Sequence, residues 1–317
     1  MKLSKITAVA FCLAVLASPC LFSQEQPESP QYERFLPDLV KIAQEDGCKM
    51  YNIVEIINGE SQTAVIRDEI RCHNTYSIAK LFTVTALGIL EDQGKLDIDN
   101  PIFPIFEKKF PKDFDPKWRQ VKISDVIRHR TGFGTDDLDI DSNRASEWQD
   151  RDFLNIVLSQ PLQYEPGTKY VYTDSTFYLA SCLVTEITGE PLSVFMIREL
   201  LEPLQFDEYA FSTDPVGRPI GATGMYISTY DMAKLGQLYV QDGVYNGKRI
   251  LSKHFVDEAF DRTFELYPVG DAGVAFAKGG MNGQYLYMNR KTKRVIAIHS
   301  FRGNIGAITD YLIQHDK

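Results

Sequence analysis

Ser77 and Lys80 stand three residues apart in "NTYSIAKLFTVTALGILEDQGKLDID", residues 74–99, where a short polar cluster turns into an apolar helical run. On a helix, positions i and i+3 share a face, so a hydroxyl and an ammonium so spaced can touch. Serine is a weak nucleophile until a base takes its proton, and a lysine beside it can be that base. A helix start also favours negative charge developing on the serine. One such pair is expected about once by chance in a chain of this size. A capped helix with a solvated lysine fits this stretch equally well.

Two further clusters carry chemistry-bearing residues. Tyr172-Thr173-Asp174 stands just ahead of an apolar helical run in "YEPGTKYVYTDSTFYLAS". Alone it reads as a turn and a helix cap, with Asp174 or Ser175 capping. Lys278-Gly279-Gly280 closes one expected strand and leads through Gly283 into another, in "KGGMNGQYLYM". Glycines there let a backbone come close to a ligand, or serve only a turn. Other signatures are missing from the sequence: GxSxG, HExxH, a P-loop and GxGxxG, and the five histidines are scattered. The cysteines have no metal-ligand spacing, and "DIDSN" (Asp139, Asp141, Asn143), which faintly suggests a calcium loop, has Arg144 where such a loop needs glycine, so neither a metal nor a cofactor is expected.

The elements that must position these clusters follow from periodicity. "ERFLPDLVKIAQEDG" reads as a helix with a glycine stop. "KMYNIVEIING" and "TAVIRDEIRC" read as two strands around an Asn58-Gly59 turn. Residues 98–120, with Pro101, Pro104, Pro111 and Pro116, read as a long irregular connection. "KISDVIRHRTG" is a short helix ending at Gly132. "EWQDRDFLNIVLSQ", "STFYLASCLVTEITG" and "PLSVFMIRELLEPL" are helices, as is "STYDMAKLGQLYVQDG", capped by Ser228. "VAFAKGG", "QYLYMNR" and "RVIAIHS" are strands before a last helix. Strands near both ends and helices between predict an α+β fold. Its antiparallel sheet is built from both chain ends and flanked by helices, with a mostly helical insert over about 95–220.

Composition narrows the class. The 317 residues, 44% hydrophobic and 24% charged, suit a globular domain. A net charge of −9 without a long basic run argues against nucleic acid and anionic membrane surfaces as partners. "MKLSKITAVAFCLAVLASPCLFSQ" joins Lys2 and Lys5 to an apolar run and then small residues. This is the pattern of a signal peptide over 1–23, with an uncleaved membrane anchor as the alternative. It predicts an exported protein, periplasmic or extracellular, with residues 24–35 as an exposed linker and 36–317 as the domain. Outside the leader lie Cys48, Cys72 and Cys182. Cys48 and Cys72 flank the expected hairpin, so a Cys48–Cys72 disulfide and three free thiols are both open.

In their order and separation the three clusters resemble the serine β-lactamase-like superfamily, in the branch of class C β-lactamases, DD-carboxypeptidases and serine esterases. "DVIRHRTGFG", "EPGTKYVYTDSTFYL", "GATGMYISTYDMAKLGQLYVQDGVYNGKRIL" and "GGMNGQYLYMNRKTKRVIAI" extend the resemblance over about residues 36–305. It implies a β-lactamase/transpeptidase-like fold. It also implies Ser77 as nucleophile, with Lys80 and Tyr172 sharing the proton work, either one as the base. Positive charge from Lys278 would favour a tyrosinate, and repulsion between the lysines would favour a neutral Lys80. Backbone N–H groups of Ser77 and Met281 would hold the oxyanion. Asp174, Gly279 and Gly280 would lie at the substrate. Two positions depart from the pattern: Asp174 replaces the asparagine of Tyr-x-Asn, and Gly279 replaces the threonine of Lys-Thr-Gly. The reading is thus an exported serine hydrolase that forms an acyl-serine on a small-molecule or peptide ester or amide. Weak β-lactamase activity is expected of it. The alternative is a non-catalytic penicillin-recognition or acyl-binding sensor.

Overall fold

A computed structural model describes residues 31–317 except 68–70, 139, 142–146, 149–150 and 272. The expected signal peptide and residues 24–30 of the expected linker lie outside the described residues. Residues 32–35 of that linker are tied to the fold. The Tyr32 N–H donates to Asn58 Oδ1 at 3.2 Å, Arg34 pairs with Glu60 at 2.8 Å, and Phe35 is buried.

The N-terminal end holds α1 (Leu36–Glu45), β1 (Met50–Ile57), β2 (Glu60–Val65), the two-residue strand β3 (His73–Asn74) and α2 (Ala79–Asp92). The middle holds α3 (Phe103–Phe106), α4 (Ile123–Val126), α5 (Phe153–Ser159), α6 (Asp174–Thr188) and α7 (Leu192–Met196), joined by irregular chain. Next come β4 (Tyr209–Phe211), β5 (Met225–Ile227), α8 (Thr229–Val240), the ribbon of β6 (Val244–Tyr245) and β7 (Lys248–Arg249), and α9 (Lys253–Asp261). The C-terminal end is β8 (Tyr267–Val269), β9 (Ala275–Gly280), β10 (Gln284–Asn289), β11 (Val295–Ser300) and α10 (Ile305–His315). Antiparallel pairing orders the main sheet β2-β1-β11-β10-β9-β8. Both ends of the described chain build it, as the strand pattern predicts.

The turn between β1 and β2 has the expected form. Ile57 faces Glu60, and the two residues between them, Asn58 and Gly59, both have positive φ, 54° and 75°. That backbone twist matches the twist of the strands it joins.

Alternation along the strands separates two cores. Val54, Phe276, Leu286 and Val295 face a core shared with α2, α6 and α8. Ile53, Ala277, Tyr285 and Ile298 face a second core with α1 and α10. Helices on both faces explain why β10 and β11 are buried along their whole length. Lys278 shares its parity on β9 with Phe276, so its side chain points into the helical side.

α2 and α6 cross this helical side. Every residue of α2 from Ala79 to Leu90 is buried, as is every residue of α6 from Asp174 to Val184. A helix apolar all round belongs in an interior, and each large apolar side chain so buried contributes about 1.5–3 kcal/mol. No single helix among the described residues is long and apolar enough to cross a membrane.

The Cys48–Cys72 bridge does not form; Cys48, Cys72 and Cys182 are free thiols. β2 ends at Val65, and Cys72 immediately precedes β3, which pairs with β5 and does not extend the hairpin. Cys72 Sγ therefore lies against Glu208, 3.6 Å from its Oε2.

Candidate active site

The segment between β3 and α2 presents Ser77. Asn74 Oδ1 accepts from the Tyr76 N–H at 2.9 Å and from the Gly224 N–H at 3.2 Å. Tyr76 adopts a left-handed backbone, φ +47°, a conformation that costs a non-glycine residue about 1–2 kcal/mol. A single 3₁₀ turn, Tyr76–Ile78, then carries Ser77 and runs on into α2. The serine sits half-buried at the mouth of a helix that is otherwise interior.

Lys80 is 0% exposed, which rules out the solvated-lysine reading. Its Nζ donates to Asp174 Oδ1 at 2.8 Å, to the Ala222 carbonyl at 2.9 Å and to Ser77 Oγ at 3.3 Å. Three donors thus meet three acceptors.

α6 supplies the next groups. Thr173, not Asp174 or Ser175, is its N-cap, its hydroxyl accepting from the Thr176 N–H at 3.2 Å. Asp136 adds a second cap, its carboxylate accepting from the Asp174 and Ser175 N–H groups at 2.5 and 3.2 Å. This leaves the Asp174 side chain free to meet Lys80. Tyr172, just outside the cap, is 42% exposed and donates its phenol to Ser77 Oγ at 2.7 Å. The His129 ring lies against its face, with centroids 4.4 Å apart. Lys80 and Lys278 lie 4.9 and 5.5 Å from its ring centre.

Lys278 is 2% exposed and ion-paired with a residue that no sequence motif marks. Its Nζ lies 2.5 Å from Glu265 Oε2, and Glu265 Oε1 lies 2.9 Å from His129 Nε2. His129 Nδ1 accepts from the Thr173 N–H at 3.3 Å. The proton of a neutral imidazole therefore sits on Nε2 and faces Glu265.

At Lys80 and Glu265, charge is settled by contact more than by burial. Burial alone would lower the Lys80 ammonium, but Asp174, Tyr172 and Glu265 outweigh it and hold its pKa above the ordinary range. This corrects the expectation that repulsion between the two lysines leaves Lys80 neutral. Burial would raise the Glu265 carboxyl, yet Lys278, His129 and Lys80 hold it down to about 2. His129 is pushed down, chiefly by burial and then by the two lysines, against the pull of Glu265.

The end of β9 closes against the nucleophile segment. A Cβ on Gly280 would fall 2.6 Å from the Thr75 carbonyl oxygen, so only glycine fits there. The following residue, Met281, opens the turn into β10 and is exposed. Gln284 holds that turn, donating from Nε2 to the Met281 carbonyl at 3.2 Å and to the Ser300 carbonyl at 2.7 Å. Gly279 is open: a Cβ there meets nothing within 4 Å. Among the described residues no three His, Cys, Asp or Glu side chains are grouped to hold a metal ion.

Ser77, Lys80, Tyr172, Asp174 and Lys278 are thus brought into one network, with Gly280 beside Thr75. Glu265, His129 and Asp136 join it without a motif to announce them. Glu265 carries a weak signal, a lone acid between Phe264 and Leu266, both fully buried. His129 lies inside "DVIRHRTGFG", yet by sequence it is one of five scattered histidines. Its helix, expected to run to Gly132, stops at Val126, and His129 turns inward with φ +54°.

The chain resembles known proteins in keeping with this geometry. It is 32% identical over 126 residues to an N-acetylmuramyl-L-alanine amidase of Bacillus subtilis, covering 38% of this chain and 28% of the amidase. It spans about a third of the length of the curated relatives it matches. Among solved structures, a penicillin binding protein from Bacillus halodurans superposes with a TM-score of 0.63 at 16% identity, over 87% of this chain and 99% of the other. A D-stereospecific amidohydrolase from Streptomyces gives 0.64 at 15% identity, over 88% and 98%. At such identities these two show the shared fold alone. The Beta-lactamase family model matches residues 69–306, which is most of the chain and includes every site residue named above. The chain belongs to the beta-lactamase family.

Proposed function

We propose that this protein is an exported serine hydrolase that forms an acyl-serine at Ser77 and favours small neutral esters or amides over β-lactams. The observation that carries the reading is the 2.7 Å contact of Tyr172 with Ser77 Oγ, beside an ammonium held charged by Asp174. Once the phenolic proton has left to solvent, the Tyr172 phenolate accepts the serine proton as Oγ attacks the acyl carbonyl, and it later passes that proton to the leaving group. Lys80 stays a fixed cation that steadies the charge moving between them. The backbone N–H groups of Ser77 and Met281 receive the oxyanion, a role in which losing one donor costs about 10²–10³ in rate. Water then releases the acyl group by the reverse proton path. The amide-cleaving relatives support acyl transfer as the reaction class, and the leader pattern supports export.

The preference for neutral substrates rests on two missing groups. Gly279 has no hydroxyl to meet the carboxylate beside a β-lactam ring. A hydrogen bond to a charged group of this kind is worth about 1.5–3 kcal/mol, roughly 10–100-fold. Asp174 is committed to Lys80, so it offers no amide donor to an acyl-amide carbonyl. We expect kcat/KM for a short-chain nitrophenyl ester to exceed that for a chromogenic cephalosporin, with Ser77→Ala as background. A cephalosporin that wins by tenfold or more overturns the preference. Because the space at Gly279 is open, Gly279→Thr is accommodated and is expected to raise the cephalosporin-to-ester ratio about tenfold.

A further inference from the structure

We propose that Glu265 sets the specificity of the site: its carboxylate occupies Lys278 as an internal counter-ion and excludes acyl compounds whose own carboxylate would need that ammonium. The inference rests on the acyl-serine reading above and names what the site refuses.

The charges balance pair by pair. Lys80 meets Asp174 at 2.8 Å, and Lys278 meets Glu265 at 2.5 Å. The side chains are 0% and 8% exposed in the first pair, 2% and 1% in the second. His129 adds only a neutral N–H, so these groups present no unmatched positive charge to a substrate. An arriving carboxylate that approaches Lys278 meets the Glu265 carboxylate already seated on it. Water reaches neither partner, so the repulsion is screened little.

Glu265 has nowhere to withdraw. Phe264 and Leu266 on either side are fully buried, and the Glu265 backbone is left-handed, φ +60°. The second group its carboxylate touches is His129, itself buried behind Tyr172. Aromatic rings lie beside Lys278. Tyr170 and Tyr267 are 46% and 38% exposed, with phenol oxygens 3.2 Å apart, and Lys278 Nζ lies 5.3 Å from the Tyr267 ring centre. Ring faces and neutral hydroxyls suit an uncharged group beside the scissile bond.

The test compares two reversible ligands of a nucleophilic serine, phenylboronic acid and 3-carboxyphenylboronic acid, which differ by one carboxylate. Affinity is read by calorimetry, without turnover. Wild type is expected to bind the neutral compound about tenfold more tightly or better. Glu265→Gln keeps the shape, removes the charge and is expected to shift the ratio about tenfold or more toward the carboxylate. Glu265→Asp keeps the charge and should keep the wild-type preference, which separates charge from packing. In Glu265→Gln/Lys278→Gln the gain should vanish. A wild-type preference for the carboxylate overturns the proposal without any variant. So does a ratio unchanged by Glu265→Gln, or one shifted equally by Glu265→Asp. If phenylboronic acid itself binds wild type no better than Ser77→Ala, the acyl-serine reading falls and takes this proposal with it.

Discussion

Ser77→Ala is expected to abolish hydrolysis and covalent labelling together, lowering kcat by about 10⁴-fold or more, as removal of a nucleophile does. Ser77 Oγ is the point where the Tyr172 phenol and the Lys80 ammonium converge, at 2.7 and 3.3 Å. Nearby hydroxyls are engaged elsewhere. Thr75 donates to the Met225 carbonyl at 3.0 Å, and Thr83 donates to the Gly221 carbonyl at 2.9 Å. Neither is placed to replace the serine. The variant should fold normally, because Ser77 is half-exposed and Lys80 keeps Asp174 and Ala222 as partners. Stability is expected to change by less than about 1 kcal/mol. Intact-mass analysis after treatment with a fluorophosphonate probe checks the assignment; full labelling of the variant would move the nucleophile to another residue. Recovery of free wild-type enzyme after labelling by a carboxylic ester separates a hydrolase from a non-catalytic acyl sensor.

Five strands of the main sheet are legible in the amino-acid sequence, because strand-forming runs and the Asn58-Gly59 turn are local properties of the chain; the short β8 (Tyr267–Val269) is not. Ser77, Lys80, Tyr172 and Lys278 are singled out by the order and separation of their three clusters, which resemble one superfamily; each cluster alone reads equally well as a cap or a turn. Glu265 and His129 are not singled out, since their importance arises only when the segment before β8 closes over the chain after α4. The charge on Lys80 is hidden by the same cause. While Asp174 and Glu265 have no place in space, the nearest known neighbour of Lys80 is another cation, and repulsion looks dominant. Two buried carboxylates reverse that sign. The disulfide fails because spacing from a hairpin turn says nothing about where a strand leaves its sheet, and Cys72 leaves to join β3.

The second large effect concerns the proton relay. Lys80→Ala and Tyr172→Phe are each expected to lower kcat by about 10²–10⁴, and the double variant by far less than the product, because the two act as a unit. Tyr172→Phe is the cleaner of the two, since the phenol is exposed. Lys80→Ala also strands Asp174 in the interior, and breaking a buried pair in this way costs about 3–5 kcal/mol of stability. Asp174→Asn then decides which residue is the base. In the wild type the Asp174 carboxylate holds the Lys80 ammonium charged beyond the ordinary lysine range. Alkaline loss of activity through Lys80 should therefore fall above pH 10.5, the ordinary lysine value. Without Asp174, burial is opposed only by Tyr172 and Glu265, so the Lys80 pKa falls below its wild-type value and neutral amine accumulates at lower pH than in wild type. If Tyr172 is the base and Lys80 its fixed cation, the variant loses about 10²-fold in kcat at neutral pH, the scale of one preorganised electrostatic group. The alkaline limb of its kcat/KM profile then descends into the measurable range. If neutral Lys80 is the base, the same variant holds more of the active form, and kcat at neutral pH rises. The two readings differ in sign, so one pH profile of Asp174→Asn beside wild type, on a neutral ester, separates them. A gain in activity would overturn the assignment of the proton to Tyr172.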